Sequence, residues 1–228
     1  MRISLDEAEA LARTALAAAG ARSDMAAATA RALAAAEAAG QAGHGLSRVP
    51  QYAAFLKNGR ADGSAVPCIV NERGGAVLVD ARHGLAYPAL ALAESEAAWR
   101  ARAHGVAFAG VTNSHHSGAM GLPVARLAGQ GLVALAFTNS PAAMPVPGGA
   151  RPLMGTNPIA AAFPRRDGAP LSSSNDHRAN GTWPPAARAT PPEGTRQASA
   201  QLAWSPPFPS PPSVTISVRF VAPASGRS

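Results

Sequence analysis

A single cysteine, Cys68, among 228 residues excludes an intramolecular disulfide and any cysteine-built zinc centre. No apolar run reaches the ~18–20 residues of a membrane-crossing helix, so an integral membrane protein of that kind is excluded. Aromatic residues are scarce at 5%, and charged ones make up only 14%. The net charge of +7 is dispersed: residues 1–171 hold 15 basic and 11 acidic residues, and residues 172–228 hold 5 and 2. Nucleic-acid binding needs its cations gathered on one face among stacking aromatics. That class is therefore excluded, and scattered arginines suit small anions better. The opening MRISLDEAEA carries acids where a signal peptide has its apolar stretch, so a cytoplasmic protein is expected. Three glycine signatures are also missing: the Gly-x-Gly-x-x-Gly of dinucleotide folds, the phosphate loop ending in Lys-Ser/Thr, and the Gly-x-Ser-x-Gly elbow of hydrolases. Gly118-Ala119-Met120-Gly121 comes nearest and has the wrong spacing.

What is present is a long alanine-rich stretch with clear punctuation. Ser4 and Glu7 form a capping box for a helix to about Ala19, stopped by Gly20. Ser23 is placed to cap a second helix to about Ala39, and Val49–Lys57 reads as a short third one. Cys68–Glu72 and Ala76–Ala81 read as a hairpin. Helix then alternates with buried strand: Pro88–His104, Val106–Thr112, Ala119–Gly129, Leu132–Thr138, and a last short strand at Ile159–Phe163. Continuous apolar strands between helices imply an α/β core.

Past Leu171 the composition changes. Residues 172–228 are a quarter of the chain but hold 10 of its 21 prolines. Their Pro-Pro pairs oppose regular elements, and only Val214–Val221 reads as a strand. The expected organisation is an α/β portion over 1–171 followed by a disordered, Pro/Ser-rich tail over 172–228. A natural tail and a stretch read in a shifted frame would both look like this; the abrupt switch inside an α/β run favours the second.

Polar residues gather at element ends. His44 lies between two glycines and Arg48 follows four positions on, so a helical or turn-like segment puts both on one face. An imidazole moves a proton near neutral pH, and a guanidinium grips a carboxylate through two parallel hydrogen bonds. A surface histidine beside an unrelated arginine would have the same spacing. Asn113-Ser114-His115-His116-Ser117-Gly118-Ala119 joins a buried strand to a helix, where ligands of α/β proteins collect and where helix N–H groups face anions. It reads equally as a polar turn. Neighbouring histidines seldom point at one ion, so no metal is expected. Thr156 before Asn157-Pro158 offers a hydroxyl in what is otherwise a simple turn.

Taken together, GHGLSRVPQY (43–52), GVTNSHHSGAMG (110–121), TNSPAAMP (138–145) and GTNPIAAAFPRRDG (155–168) resemble the malate/L-lactate dehydrogenase-type oxidoreductases, collinearly over about residues 3–171. These enzymes use a nicotinamide cofactor without the usual dinucleotide fold. The resemblance implies N-terminal helices plus a mixed, non-Rossmann α/β core, here incomplete at the C-terminus. Within the family the chain is most similar to bacterial reductases of Δ1-pyrroline-2-carboxylate and Δ1-piperideine-2-carboxylate. By that resemblance His44 would be the proton donor, Arg48 the carboxylate ligand and Thr156 a further substrate contact. His116, Ser117, Gly118, Ala119 and Met120 would line the cofactor: NADPH, with NADH as the alternative. The partner would be a small imine or keto carboxylate, and the assembly a homodimer. The rival substrates are 2-hydroxy acids such as malate, lactate or ureidoglycolate; an inactive remnant is the rival of another class. Two departures stand out: Gly43 where many relatives carry a relay serine, and Ser117 where they carry Phe. Nothing in 172–228 resembles the family's continuation, which implies missing cofactor contacts and an exposed apolar layer.

Overall fold

The computed structural model describes residues 3–174 and the strand 214–221. Five α-helices and seven strands follow one another in an order close to the sequence reading.

The first helix, α1 (Leu5–Ala18), starts where Ser4 Oγ accepts the Glu7 N–H at 3.2 Å while the Glu7 carboxylate accepts the Ser4 N–H at 2.7 Å. Reciprocal bonds of this kind satisfy donors that a helix start leaves open. Ala8, Ala12 and Leu16, spaced by four, form its buried stripe against α2 (Ser23–Ala38). The expected Ser23 cap is corrected. Arg22 occupies the cap position without a side-chain bond, and it is Asp24 that accepts the Met25 N–H at 2.9 Å and pairs with Arg22. Asp24 does the satisfying because a carboxylate in the first turn also meets the positive end of the helix dipole. Two single 3₁₀ turns, Ala42–His44 and Leu46–Arg48, then lead into α3 (Val49–Lys57).

The hairpin β1 (Cys68–Arg73) and β2 (Ala76–Asp80) forms as read. After it come α4 (Ala86–His104), β3 (Val106–Ser114), α5 (Gly121–Gly129), β4 (Val133–Thr138) and β5 (Ile159–Phe163). Gly105 ends α4 at φ +80°, a conformation that costs glycine little. Two strands enter the stretch expected to be irregular: β6 (Leu171–Ser174), which corrects the reading of no strand there before Val214, and β7 (Val214–Val221), the one strand read within the tail. The tail is thus not uniformly irregular; the rest of that expectation lies outside the described residues.

The sheet order is β1-β2-β3-β7-β4-β5-β6. Only β2 and β3 pair in parallel; every other pairing is antiparallel. β7 sits in the middle, with Val218 opposite Ala109 on β3 and opposite Ala136 on β4. Along β3, β4 and β5 burial alternates. Ala107, Ala109, Ala134, Ala136, Ala160 and Ala162 are buried on one face, where α4 packs on β2 and β3 and α5 on β4 to β6. On the other face Val106, Phe108, Phe137, Ile159, Phe163 and Leu171 remain 38–54% exposed. Arg100, almost fully buried, ties α4 to the hairpin through the Gly74 carbonyl at 2.7 Å and Glu72, and pairs with Glu96 on its own helix at 3.2 Å. Among the described residues no helix is long and apolar enough to cross a membrane.

Candidate active site

The two 3₁₀ turns carry His44 and Arg48, and α2 holds them from behind. Glu37 accepts the Leu46 N–H at 3.0 Å. A side chain at Gly45 would collide with that carboxylate, its Cβ lying 2.2 Å from Oε2. Gly45 is therefore what lets the turn sit against α2. Arg48 folds back over the same turn, its Nε donating to the Gly43 carbonyl at 2.6 Å and Nη1 to Gln51 Oε1 at 2.8 Å. Its position is fixed by the backbone next to His44, which couples the two residues as the four-residue spacing suggested.

His116 arrives from the end of β3 and stacks on His44, with ring centroids 5.3 Å apart and planes 3° from parallel. It lies past Asn113, which adopts φ +50° and is braced by Nδ2 donating to Asp80 Oδ1 at 3.1 Å. Arg82 and His83 also have positive φ, at 50° and 61°; the Arg82 N–H donates to the same carboxylate oxygen at 2.7 Å and the His83 N–H to the Asn113 carbonyl at 2.8 Å. Three non-glycine residues in this region mark a corner held under strain, as is common at ligand sites. His115 points elsewhere, towards Phe55 at 5.7 Å, and Arg60 lies 4.6 Å over that Phe55 ring. Partial burial holds the His115 imidazole below its ordinary range. The adjacent histidines thus diverge, and among the described residues no group of three His, Cys, Asp or Glu is placed to hold a metal.

Two residues essential to this geometry carried no assigned role in the sequence. The chain has two tyrosines, and both meet here. Tyr52 Oη lies 2.8 Å from His116 Nδ1 and 3.3 Å from Tyr87 Oη. Both rings are buried, and loss of hydration pushes both phenols above their usual range, Tyr87 the further. Tyr52 follows Arg48 by four on the same helix face, which is the signal that would have found it; Tyr87 has none beyond its rarity. Gly118, at φ +71°, lets Tyr87 close in, since a Cβ there would lie 2.4 Å from the tyrosine oxygen.

The remaining predicted residues separate into groups. Ser117, Ala119 and Met120 are buried, and Met120 belongs to the main core, so their side chains pack rather than line an open surface. What this stretch offers a cofactor is backbone and the start of α5, together with the His116 ring. Those features fit an anionic or hydrogen-bonding ligand. Thr156 is held apart: its N–H donates to Ser140 Oγ at 2.8 Å and its hydroxyl meets the same oxygen at 3.1 Å. Asn157, at φ +39°, closes that loop by accepting the Ser140 N–H at 3.1 Å. These bonds run to Ser140 and not to His44 or Arg48.

A histidine and an arginine thus sit on consecutive turns of an α/β protein, the histidine stacked on a second one from the end of a sheet strand. The family model of malate/L-lactate dehydrogenases matches residues 3–173, and the chain belongs to that family. It is 51% identical over 169 residues to the (2R)-3-sulfolactate dehydrogenase (NADP(+)) of Chromohalobacter salexigens, covering 74% of this chain and 50% of that protein. It is 45% identical over 139 residues to the Δ1-pyrroline-2-carboxylate/Δ1-piperideine-2-carboxylate reductase of Pseudomonas syringae pv. tomato, covering 60% of this chain and 40% of the reductase. The crystal structure of the Δ1-piperideine-2-carboxylate reductase from Pseudomonas syringae pv. tomato superposes with a TM-score of 0.72 at 37% identity, over 76% of this chain and 52% of that one. The chain spans about half the length of the curated relatives it matches.

Proposed function

We propose that this sequence encodes the proton-donor half of a nicotinamide-dependent reductase acting on a small carboxylate with a C=N bond at carbon 2. The observation that carries the reading is the joint fixation of His44 and Arg48 on adjacent turns, with Arg48 donating to the carbonyl of the residue before His44. Arg48 would hold the substrate carboxylate, and that grip places the imine nitrogen against the imidazole. His44 delivers a proton to that nitrogen, because a protonated imine accepts hydride more readily. NADPH supplies the hydride when bound. His116 and the start of α5 would hold its nicotinamide end, with Ser117, Gly118, Ala119 and Met120 contributing main chain. Thr156 would contact the substrate from the Ser140 loop. The carbon gains a hydride and the nitrogen a proton, giving a cyclic amino acid such as L-proline or L-pipecolate.

The sulfolactate dehydrogenase relative favours a second reading, reduction of a 2-keto acid that bears a sulfonate. The same acid and the same arginine serve C=O as well as C=N. Cytoplasmic location and a dimer of identical chains accompany either reading. The test is turnover with Δ1-pyrroline-2-carboxylate, 3-sulfopyruvate and pyruvate in turn, following NADPH absorbance with the 228-residue chain and with this chain extended by the second half of a relative. Turnover of the imine alone supports the first reading, and turnover of the sulfonate alone replaces it with the second. Turnover of none, in either form, overturns both.

A further inference from the structure

His116 stacks on His44, the proposed acid, with ring centroids 5.3 Å apart, so its own protonation state belongs to the site. The hydrogen bonds around His116 decide the matter. Its Nδ1 has the Gly118 backbone N–H at 3.3 Å and the Tyr52 hydroxyl at 2.8 Å. A backbone N–H only donates, so Nδ1 must accept from it, and an accepting Nδ1 carries no hydrogen. Tyr52 Oη then also donates to Nδ1, and its own oxygen is left to accept from Tyr87 Oη at 3.3 Å. Donation runs one way, from Tyr87 to Tyr52 to His116.

We propose that Tyr52, supported by Tyr87, is a positioning residue that locks His116, the ring stacked on His44, as the neutral tautomer with hydrogen on Nε2. Protonating His116 at Nδ1 would break both bonds that it accepts. Raised phenol pKa values keep both tyrosines as donors throughout the neutral range. Gly118 serves the device twice, through its N–H and by lacking the Cβ that would push Tyr87 away. The inference deepens the proposed site, and its own test does not involve turnover.

That test is long-range ¹H–¹⁵N correlation of the histidine rings in the ¹⁵N-labelled 228-residue chain at pH 7. His116 should show Nδ1 unprotonated and Nε2 protonated. Tyr52→Phe should move Nδ1 towards the averaged signature of a mixed tautomer and raise the His116 titration midpoint by about one pH unit, the worth of one hydrogen bond. Tyr87→Phe should shift it the same way by less, and it carries the test if Tyr52→Phe does not fold. A native His116 bearing hydrogen on Nδ1, or a midpoint unmoved in the folded variants, overturns the inference. Absence of imine or keto-acid turnover, with the expected tautomer present, overturns the functional reading and not this one.

Discussion

The two faces of the sheet are built from different residues to different ends. On the helix side, alanines at 107, 109, 134, 136, 160 and 162 are fully or almost fully buried, because short side chains let α4 and α5 come close. On the opposite side, Phe108, Phe137 and Phe163 stand 38–46% exposed, large and apolar where a solvated antiparallel face would be polar. The histidine site belongs to the helix side: Tyr52, Tyr87 and Met120 share a core cluster with those alanines. The contrast teaches that the described residues complete one layer of packing, the layer that carries the proton-donor apparatus, and leave the other unfinished. A sheet face of that composition is designed to be covered.

Several substitutions would break or sharpen this contrast. The largest effect should come from Leu127→Ala on α5, whose side chain is fully buried; a loss of about 2–5 kcal/mol is expected in urea unfolding. Ala109→Leu should cost about 1–3 kcal/mol by overfilling the helix side, and a neutral result would show that face to be looser than described. Gly118→Ala faces a collision with Tyr87 at positive φ and should cost about 1–3 kcal/mol. Gly43→Ser should be accommodated within about 0.5 kcal/mol, since a Cβ at Gly43 meets nothing within 4 Å. A serine at position 43 is therefore sterically open. On the bare face Phe163→Ser should cost under about 1 kcal/mol, the value of its cross-strand pairing with Leu171. The same change should reduce self-association seen by light scattering.

Acid should reveal the site through His115. Burial lowers its pKa in the folded state, so the unfolded chain takes up the proton first as pH falls. Stability should be unaffected above the ordinary histidine range of about 6.5, decline as pH drops through it, and level off below the folded value. Melting curves between pH 8 and pH 5 for the native chain and His115→Gln check this, with the variant expected to show the shallower decline.

Local chemistry made much of this legible in the sequence. The Ser4–Glu7 box, the 74–75 turn of the hairpin, the Gly105 stop and the buried run of β3 each announce themselves within a few residues. The turn-like character of the segment that carries His44 and Arg48 was legible too. What could not be read depended on distant partners. Glu37 supports the Leu46–Arg48 turn from another helix, Tyr87 reaches Tyr52 across 35 positions, and β6 consists of a leucine and three serines with no strand signature. Thr156 was legible as a hydroxyl in a turn, but its hydrogen bonds go to Ser140 instead of the histidine side. Ser23 failed as a cap because an acid one residue later competes for the same donors.

The central place of β7 sets a timetable. Val214 is made 100 positions after Ser114 ends β3, and translation at about 5–20 residues per second puts some 5–20 s between them. Through that interval the edges of β3 and β4 that will flank β7 lack the partner they have in the described fold, and open strand edges recruit whatever strand comes near. A cell making this polypeptide must shield a half-built sheet until its last strand leaves the ribosome.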